Sequence, residues 1–273
     1  MRWSAAILAL AVGVVISACG YGTNMRARSS PATPFGAVRS AYAATLAAQT
    51  ARLETTITYY DVRPPQHVTG RGVIDLSRQR FRLELHGPKD TTAQLRQIGS
   101  LRYRHQVYGN TSLQPWTKTN VALVLRNQPT HVLNHQATNP AVLIGYLRAV
   151  SNPVRTIGTQ TLETGPATHY RAAIDLVELS QRPGIWEEVA PLVRDRMKAE
   201  RIPVDVWVGS EGRIARLRIT LPIDQVYTVG RHQGRPRYEV TIRLFDYGTP
   251  VQIIHPPRAQ VHDITQRIAT RVS

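Results

Sequence analysis

Arg80-Phe81-Arg82-Leu83-Glu84-Leu85-His86 places an apolar side chain at every second position and a polar one between. Successive side chains of an extended strand point to opposite faces, so this alternation describes a strand with one wet and one dry face. The pattern recurs in Arg216-Leu217-Arg218-Ile219-Thr220-Leu221 and in Tyr238-Glu239-Val240-Thr241-Ile242-Arg243-Leu244. Turn-forming segments separate such runs: Ser77-Arg78-Gln79, Glu163-Thr164-Gly165-Pro166, Gly209-Ser210-Glu211-Gly212 and Gly234-Arg235-Pro236. About ten strand candidates joined by hairpin-length connections predict a large antiparallel sheet. The arginines fall mainly on its wet face, where solvation accounts for most of the charge runs.

Three segments carry a helical period instead. Val38, Ala41, Tyr42, Leu46 and Gln49 share one face of an alanine-rich stretch. Asn139-Pro140 is a start signal, an N-cap followed by proline at the first helical position, and Leu143, Ile144, Leu147 and Val150 mark the stripe that follows. The third segment runs near Trp186 to Arg201, with Val189, Leu192, Val193 and Met197 on its apolar side. These helices need an apolar surface to cover, and the dry face of the sheet is the large one available. The expected fold is therefore α+β, a large curved antiparallel β-sheet wrapped over a few α-helices.

The N-terminus has a different character. Arg2 gives a positive start, Ala5 to Val15 is apolar with one glycine, and Ile16-Ser17-Ala18-Cys19 ends the segment in small residues before the single cysteine of the chain. That order is the n-region, h-region and cleavage site of an export signal. The stretch from Ala5 to Ala18 is shorter than the roughly 20 residues that span a bilayer. An aliphatic residue, two small residues and cysteine resemble the bacterial lipobox, in which the thiol is diacylated and the chain is cut just before it, here between Ala18 and Cys19. The plainer alternatives are an ordinary secretory peptide and a buried free thiol. A lone cysteine forms no internal disulfide, and acylation accounts for a thiol in an exported protein. Gly20 to Pro34 then has almost no apolar content and ends in Ser and Pro, the composition of a flexible tether. The expected organisation is a signal peptide over 1–18, a lipidated N-terminus and tether over 19–34, one domain over 35–258 and a C-terminal tail over 259–273.

The formal charge of +16 falls to +15 once Arg2 is removed, and only Lys89, Lys118 and Lys198 of the 34 basic residues are lysine. Outside the cytoplasm the partner for such a charge is anionic lipid headgroups or phosphorylated envelope glycolipids, and export argues against nucleic acid. Constellations for catalysis are thin. His131 and His135 have a metal-ligand spacing but no glutamate or nearby carboxylate, and there is no Gly-x-Ser-x-Gly elbow or phosphate-cradling glycine loop. Asp75, Asp175, Asp205 and Asp246 fall in or beside strands, where hydrogen bonding to turns is their ordinary role. No catalytic residue, metal or cofactor is expected, and the chain does not read as an enzyme.

The lipobox at Cys19, the Ser/Pro tether, the alanine-rich helix, the hairpin strand Gly70-Arg71-Gly72-Val73-Ile74-Asp75, the run Val204-Asp205-Val206-Trp207-Val208 with Gly212 to Leu217, and the ending Phe245-Asp246-Tyr247-Gly248-Thr249-Pro250-Val251 together resemble the LppX/LprG family of actinobacterial lipoproteins. The resemblance covers most of residues 35 to 257. It implies a LolA/LolB-like half-barrel with an apolar cavity between sheet and helices, lined here by Leu143, Ile144, Leu147, Val189, Val193 and Met197. It further implies a carrier of acylated lipid or glycolipid, anchored on the extracytoplasmic face of the cell membrane. This sequence is more basic than that pattern, and Tyr146, Leu147 and Trp186 are bulky where such a cavity would lie. The second expectation is accordingly a closed core filled by its own side chains, in an envelope protein that acts as interaction or sensor-accessory partner of a membrane protein.

Overall fold

The computed structural model describes residues 33–60, 64–108, 115–127, 138–182, 190–191, 193–195, 198–222, 227–229, 232–234 and 237–270. The leader, Cys19, the tether up to residue 32, His131, His135, Trp186, Val189, Leu192 and Met197 lie outside them, while Thr33 and Pro34, expected at the end of the tether, cap and open the first helix. The chain opens with helix α1 (Pro34–Ala47), where Pro34 occupies the first turn and the Thr33 hydroxyl accepts a hydrogen bond from the Gly36 amide. Five strands follow in hairpin succession, β1 (Thr50–Tyr59), β2 (Gln66–Asp75), β3 (Arg80–His86), β4 (Thr91–Ile98) and β5 (Leu101–Tyr108), and then β6 (Trp116–Asn120). Helix α2 (Val121–Asn127) runs on directly from β6. Helix α3 (Pro140–Gly145) begins at the Asn139 cap, whose side chain accepts from the Val142 amide, and tightens into a 3₁₀ turn over Tyr146–Ala149. Val150, expected at the end of the helical stripe, instead starts strand β7 (Val150–Leu162).

Strand β8 (Gly165–Asp175) leads into α4 (Leu176–Ser180), where Asp175 caps the amides of Val177 and Glu178. The third expected helix was drawn to Arg201, but strand β9 (Arg201–Gly209) already begins there, because Ile202, Val204 and Val206 continue the alternation of the dry face. Next come β10 (Ile214–Pro222), the small β11–β12 hairpin (Tyr227–Val229 and His232–Gly234) and β13 (Arg237–Phe245). Residues 259–270, expected as part of a C-terminal tail, carry β14 (Val261–Asp263) and α5 (Thr265–Ala269), which packs against α2.

Twelve strands make one curved, unclosed sheet in the order β14-β6-β5-β4-β3-β2-β1-β13-β10-β9-β8-β7. Every pairing within it is antiparallel except β14 with β6. Its centre joins the first strand to the thirteenth, with Arg52 opposite Phe245 and Tyr59 opposite Tyr238. On β2 the dry-face positions opposite Leu53 and Thr55 are Gly72 and Gly70. A Cβ on Gly72 would stand 1.9 Å from the Arg82 carbonyl oxygen, and one on Gly70 would stand 2.5 Å from the Leu85 side chain. At 72 a side chain would meet backbone, so only glycine serves there, whereas at 70 it would meet the ends of the Leu85 and Thr55 side chains.

On the dry face lies one continuous core, including Leu53, Ile57, Phe81, Leu83, Leu217, Ile219, Val240 and Ile242 from the sheet and Val38, Ala41, Leu143 and Leu147 from the helices. On the wet face charges alternate along rows that cross the strands. Glu54 accepts from Arg243 on one side at 2.9 Å and from Arg71 on the other at 3.0 Å. Arg243 also bonds Glu163. Asp75 serves a turn as expected, its carboxylate taking Ser77 Oγ and the Arg78 amide, whereas the Asp246 carboxylate faces Arg52 at 3.6 Å and only its backbone carbonyl takes Thr249 Oγ1. Asp205 does not serve a turn. It lies on the outward face of β9 and binds His169 Nε2 at 2.7 Å, Arg171 at 3.0 Å and Arg218 at 2.9 Å, while Trp207 beside it stacks on the His169 ring. Burial pushes the Asp205 carboxyl up, but the hydrogen bonds from Arg218, His169 and Arg171 outweigh it and hold the group below the usual range.

Candidate lipid-facing surface of the sheet

The inward face of the sheet changes character along its width. Over β9, β10, β13 and β1 the inward side chains Val206, Leu217, Ile242 and Leu53 are at most 1% exposed beneath the helices. Toward the other end Leu85, Ala93 and Leu95, buried members of the same core, keep 4 to 8%. Leu143, Ile144, Leu147 and Val193, the described residues expected to line a cavity, are all at most 1% exposed and belong to the same core as the sheet residues. Two open clefts lie elsewhere. One of about 440 Å³ is bordered by Gly209, Glu211, Arg213, Asp246 and Tyr247, and one of about 360 Å³ by Glu54, Thr56, Thr69 and Arg71, without contribution from those four residues.

Past β4 the inward face becomes polar. Register places Phe81, Gln97, Arg102 and Thr119 in one inward row and Leu83, Leu95, Arg104 and Thr117 in the next. A third row runs Leu85, Ala93, Gln106. Arg102 is buried, donating Nε to Gln97 Oε1 at 3.0 Å and Nη1 to Thr138 Oγ1 at 3.2 Å, which ties β5 to the residue before the α3 cap. Burial and the neighbouring Arg104 lower its pKa to about 10, still charged at neutral pH. Arg104 itself is exposed. The opposite side of β5 is correspondingly less polar. Tyr103 is buried there beneath residues 254–255, its hydroxyl 2.9 Å from His255 Nδ1, and Arg96 both donates to the Ile254 carbonyl at 3.0 Å and lies over the Trp116 ring. The chain end completes this side, with Lys118 Nζ 2.7 Å from Asp263.

The inward arginines of β5 were not singled out in the sequence. Their signal is weak, because Leu101, Tyr103 and Val107 alternate with Arg102, Arg104 and Gln106, and the pattern alone would turn the apolar set inward. Among the described residues no group of three or more His, Cys, Asp and Glu is placed to hold a metal ion. No described helix is long and apolar enough to cross a membrane.

Comparison with solved structures finds similar arrangements. The lipoprotein LppX of Mycobacterium tuberculosis matches over 81% of this chain and 98% of its own, at 10% identity and a TM-score of 0.48. LprF from Mycobacterium bovis matches over 82% of this chain and 96% of its own, at 11% identity and a TM-score of 0.43. In arrangement the chain resembles LppX and LprF. No protein-family model and no curated protein matches the chain by sequence.

Proposed function

We propose that this protein is an exported lipoprotein, anchored through acylated Cys19 to the extracytoplasmic face of the cell membrane, that binds acylated lipid or glycolipid against the inward face of its sheet. The supporting observation is the gradient on that face: tightly covered over β9 to β1, less covered at Leu85, Ala93 and Leu95, and polar at β5 and β6. An amphiphile matches such a surface, with acyl chains against the apolar strands and a headgroup at the polar margin. Binding would draw on apolar burial, about 0.8 kcal/mol per methylene, and needs no catalytic group. The helix residues Leu143, Ile144, Leu147 and Val193, with Val189 and Met197, are the proposed cover of the chains.

The near-complete burial of those four residues favours a second reading, a closed core in an envelope protein that serves a membrane protein as accessory or sensor partner. Two measurements separate the readings. Mass spectrometry of lipid extracted from the purified full-length protein should find an acylated species at a fixed ratio to protein. Leu147→Trp and Val193→Trp should each lower that ratio in a carrier, where the indole takes the place of lipid. In a closed core they would overfill the interior and cost about 1 to 3 kcal/mol in thermal unfolding. Unchanged lipid with a clearly lowered melting temperature at both sites would sink the carrier reading.

A further inference from the structure

The inward polarity of β5 is not imposed by the sheet. A one-residue change of register would send Tyr103, His105 and Val107 inward and turn Arg102 and Arg104 to the outward face, where Arg71, Arg82, Arg218 and Arg243 sit. The pairing adopted does the reverse, residues 254–255 cover the less polar side that results, and β14 pairs beside β6 at the sheet edge. Several outward arginines find partners, Arg71 and Arg243 on Glu54, Arg218 on Asp205 and Arg96 on the Trp116 ring, although Arg80 and Arg82 have none among the described residues. Arg104 has no carboxylate or ring partner among the described residues, although it lies in an inward row between Leu95 and Thr117. Its neighbour Arg102 is held rigidly by Gln97 and Thr138, so the local field is positive and fixed. Gln106, half-buried, adds a neutral amide donor on the same face, while the Thr117 hydroxyl is spent on the Arg104 carbonyl at 3.1 Å and fixes the strand there. A guanidinium fork with an amide donor beside an apolar wall is the chemistry that receives a phosphate group attached to acyl chains.

Resting on the lipid-binding reading above, we infer that Arg104, with Gln106, seats a phosphate-bearing headgroup, and that the ligands of this protein are anionic phospholipids or phosphoglycolipids rather than neutral acylated lipids. The chains of such a ligand lie toward Leu95, Ala93 and Leu85. Arg102 sets the field and the strand position without reaching the ligand.

The test uses the full-length protein in mild detergent with two photoreactive probes that carry the same acyl chains, a phosphatidic acid and a diacylglycerol. Labelling is quantified for the parent, for Arg104→Gln and for Arg71→Gln, which removes an equal charge from the outward face. Arg104→Gln should lower phosphatidic acid labelling about tenfold, the loss of one charge-assisted contact. Diacylglycerol labelling should stay unchanged in both variants, and inorganic phosphate at equal concentration should not compete. Equal losses in the two variants would reduce the effect to net charge and overturn the inference. Competition by inorganic phosphate as effective as by the lipid would make this a free-anion site and overturn it likewise. If both probes label but Arg104→Gln changes neither, lipid binding stands and the headgroup site falls. If neither probe labels, the lipid-binding reading fails and the headgroup site with it.

Discussion

Gly72 and Asp263 show how single positions hold this architecture. With a Cβ only 1.9 Å from the Arg82 carbonyl, alanine at 72 forces β2 and β3 apart in the middle of the sheet. Gly72→Ala should cost about 3 kcal/mol, the upper end of ordinary overpacking, because backbone rather than a flexible side chain must yield; urea unfolding of the full-length chain measures it. At the sheet margin, hydrogen bonds from Lys118 and from Thr265 hold the Asp263 carboxyl down at about 2, and the same contact raises the Lys118 ammonium. A depressed carboxyl contributes stability above its unfolded pKa, roughly 4, and loses it as pH falls through the folded value. A raised ammonium contributes below its ordinary 10.5 and loses it as pH rises beyond. The pair should therefore support the chain end between about pH 4 and 10. Both groups are largely solvated, so the effect is small, and it should show as a fall in melting temperature between about pH 4 and pH 2 that is shallower in Lys118→Met. An equal fall in that variant would assign the acid sensitivity to other carboxylates.

At the scale of elements, the short helices over the inward face depend on their caps. Asn139→Ala removes the side-chain acceptor of the Val142 amide. The loss should be about 1 kcal/mol, read by thermal unfolding, with Asn139→Asp restoring most of it. That helix was legible in the sequence because cap, proline and stripe occur together within a dozen residues. So were β3, β10 and β13, where one face is fully buried and the alternation is clean. Strand β7 was not. From 152 to 161 all but one of its residues are exposed, so no periodicity records a buried face. Strand β14 is three residues long and pairs Val261 with Trp116, a partner that no local pattern announces. For the inward surface the outcome divides on the same physical ground. Helical spacing sufficed to bring out Leu143, Ile144, Leu147 and Val193 as one buried set. Arg104 was hidden because its strand places the more polar alternate inward, a choice fixed by pairing with β4 and by the covering chain end.

At the scale of the whole molecule, the anchoring proposal makes its own demand. Cys19→Ser should leave the protein without acyl chains, so that a salt wash releases it from membranes, since one of the two attachments stable anchoring requires is gone. Partition into detergent like the parent would refute the lipobox reading. The basic charge gives a second measurement. If arginines on the outward face contribute to membrane contact, the Cys19→Ser protein should bind anionic vesicles at low salt and leave them at high salt, whereas indifference to salt would assign the charge to solubility. The pairing of β1 with β13 bears on how the chain reaches its final form. The strands β2 to β5 on one flank and β7 to β10 on the other assemble from neighbours in sequence, each closing short loops. The seam between the flanks pairs Arg52 with Phe245, so it closes only after nearly the whole chain is available. Closing so long a loop is entropically costly, and topologies rich in distant contacts fold slowly. Because β13 pairs with β10 from Pro222 opposite Arg237, it extends that flank first, and the long-range step is the meeting of two flanks along the open edges of β1 and β13.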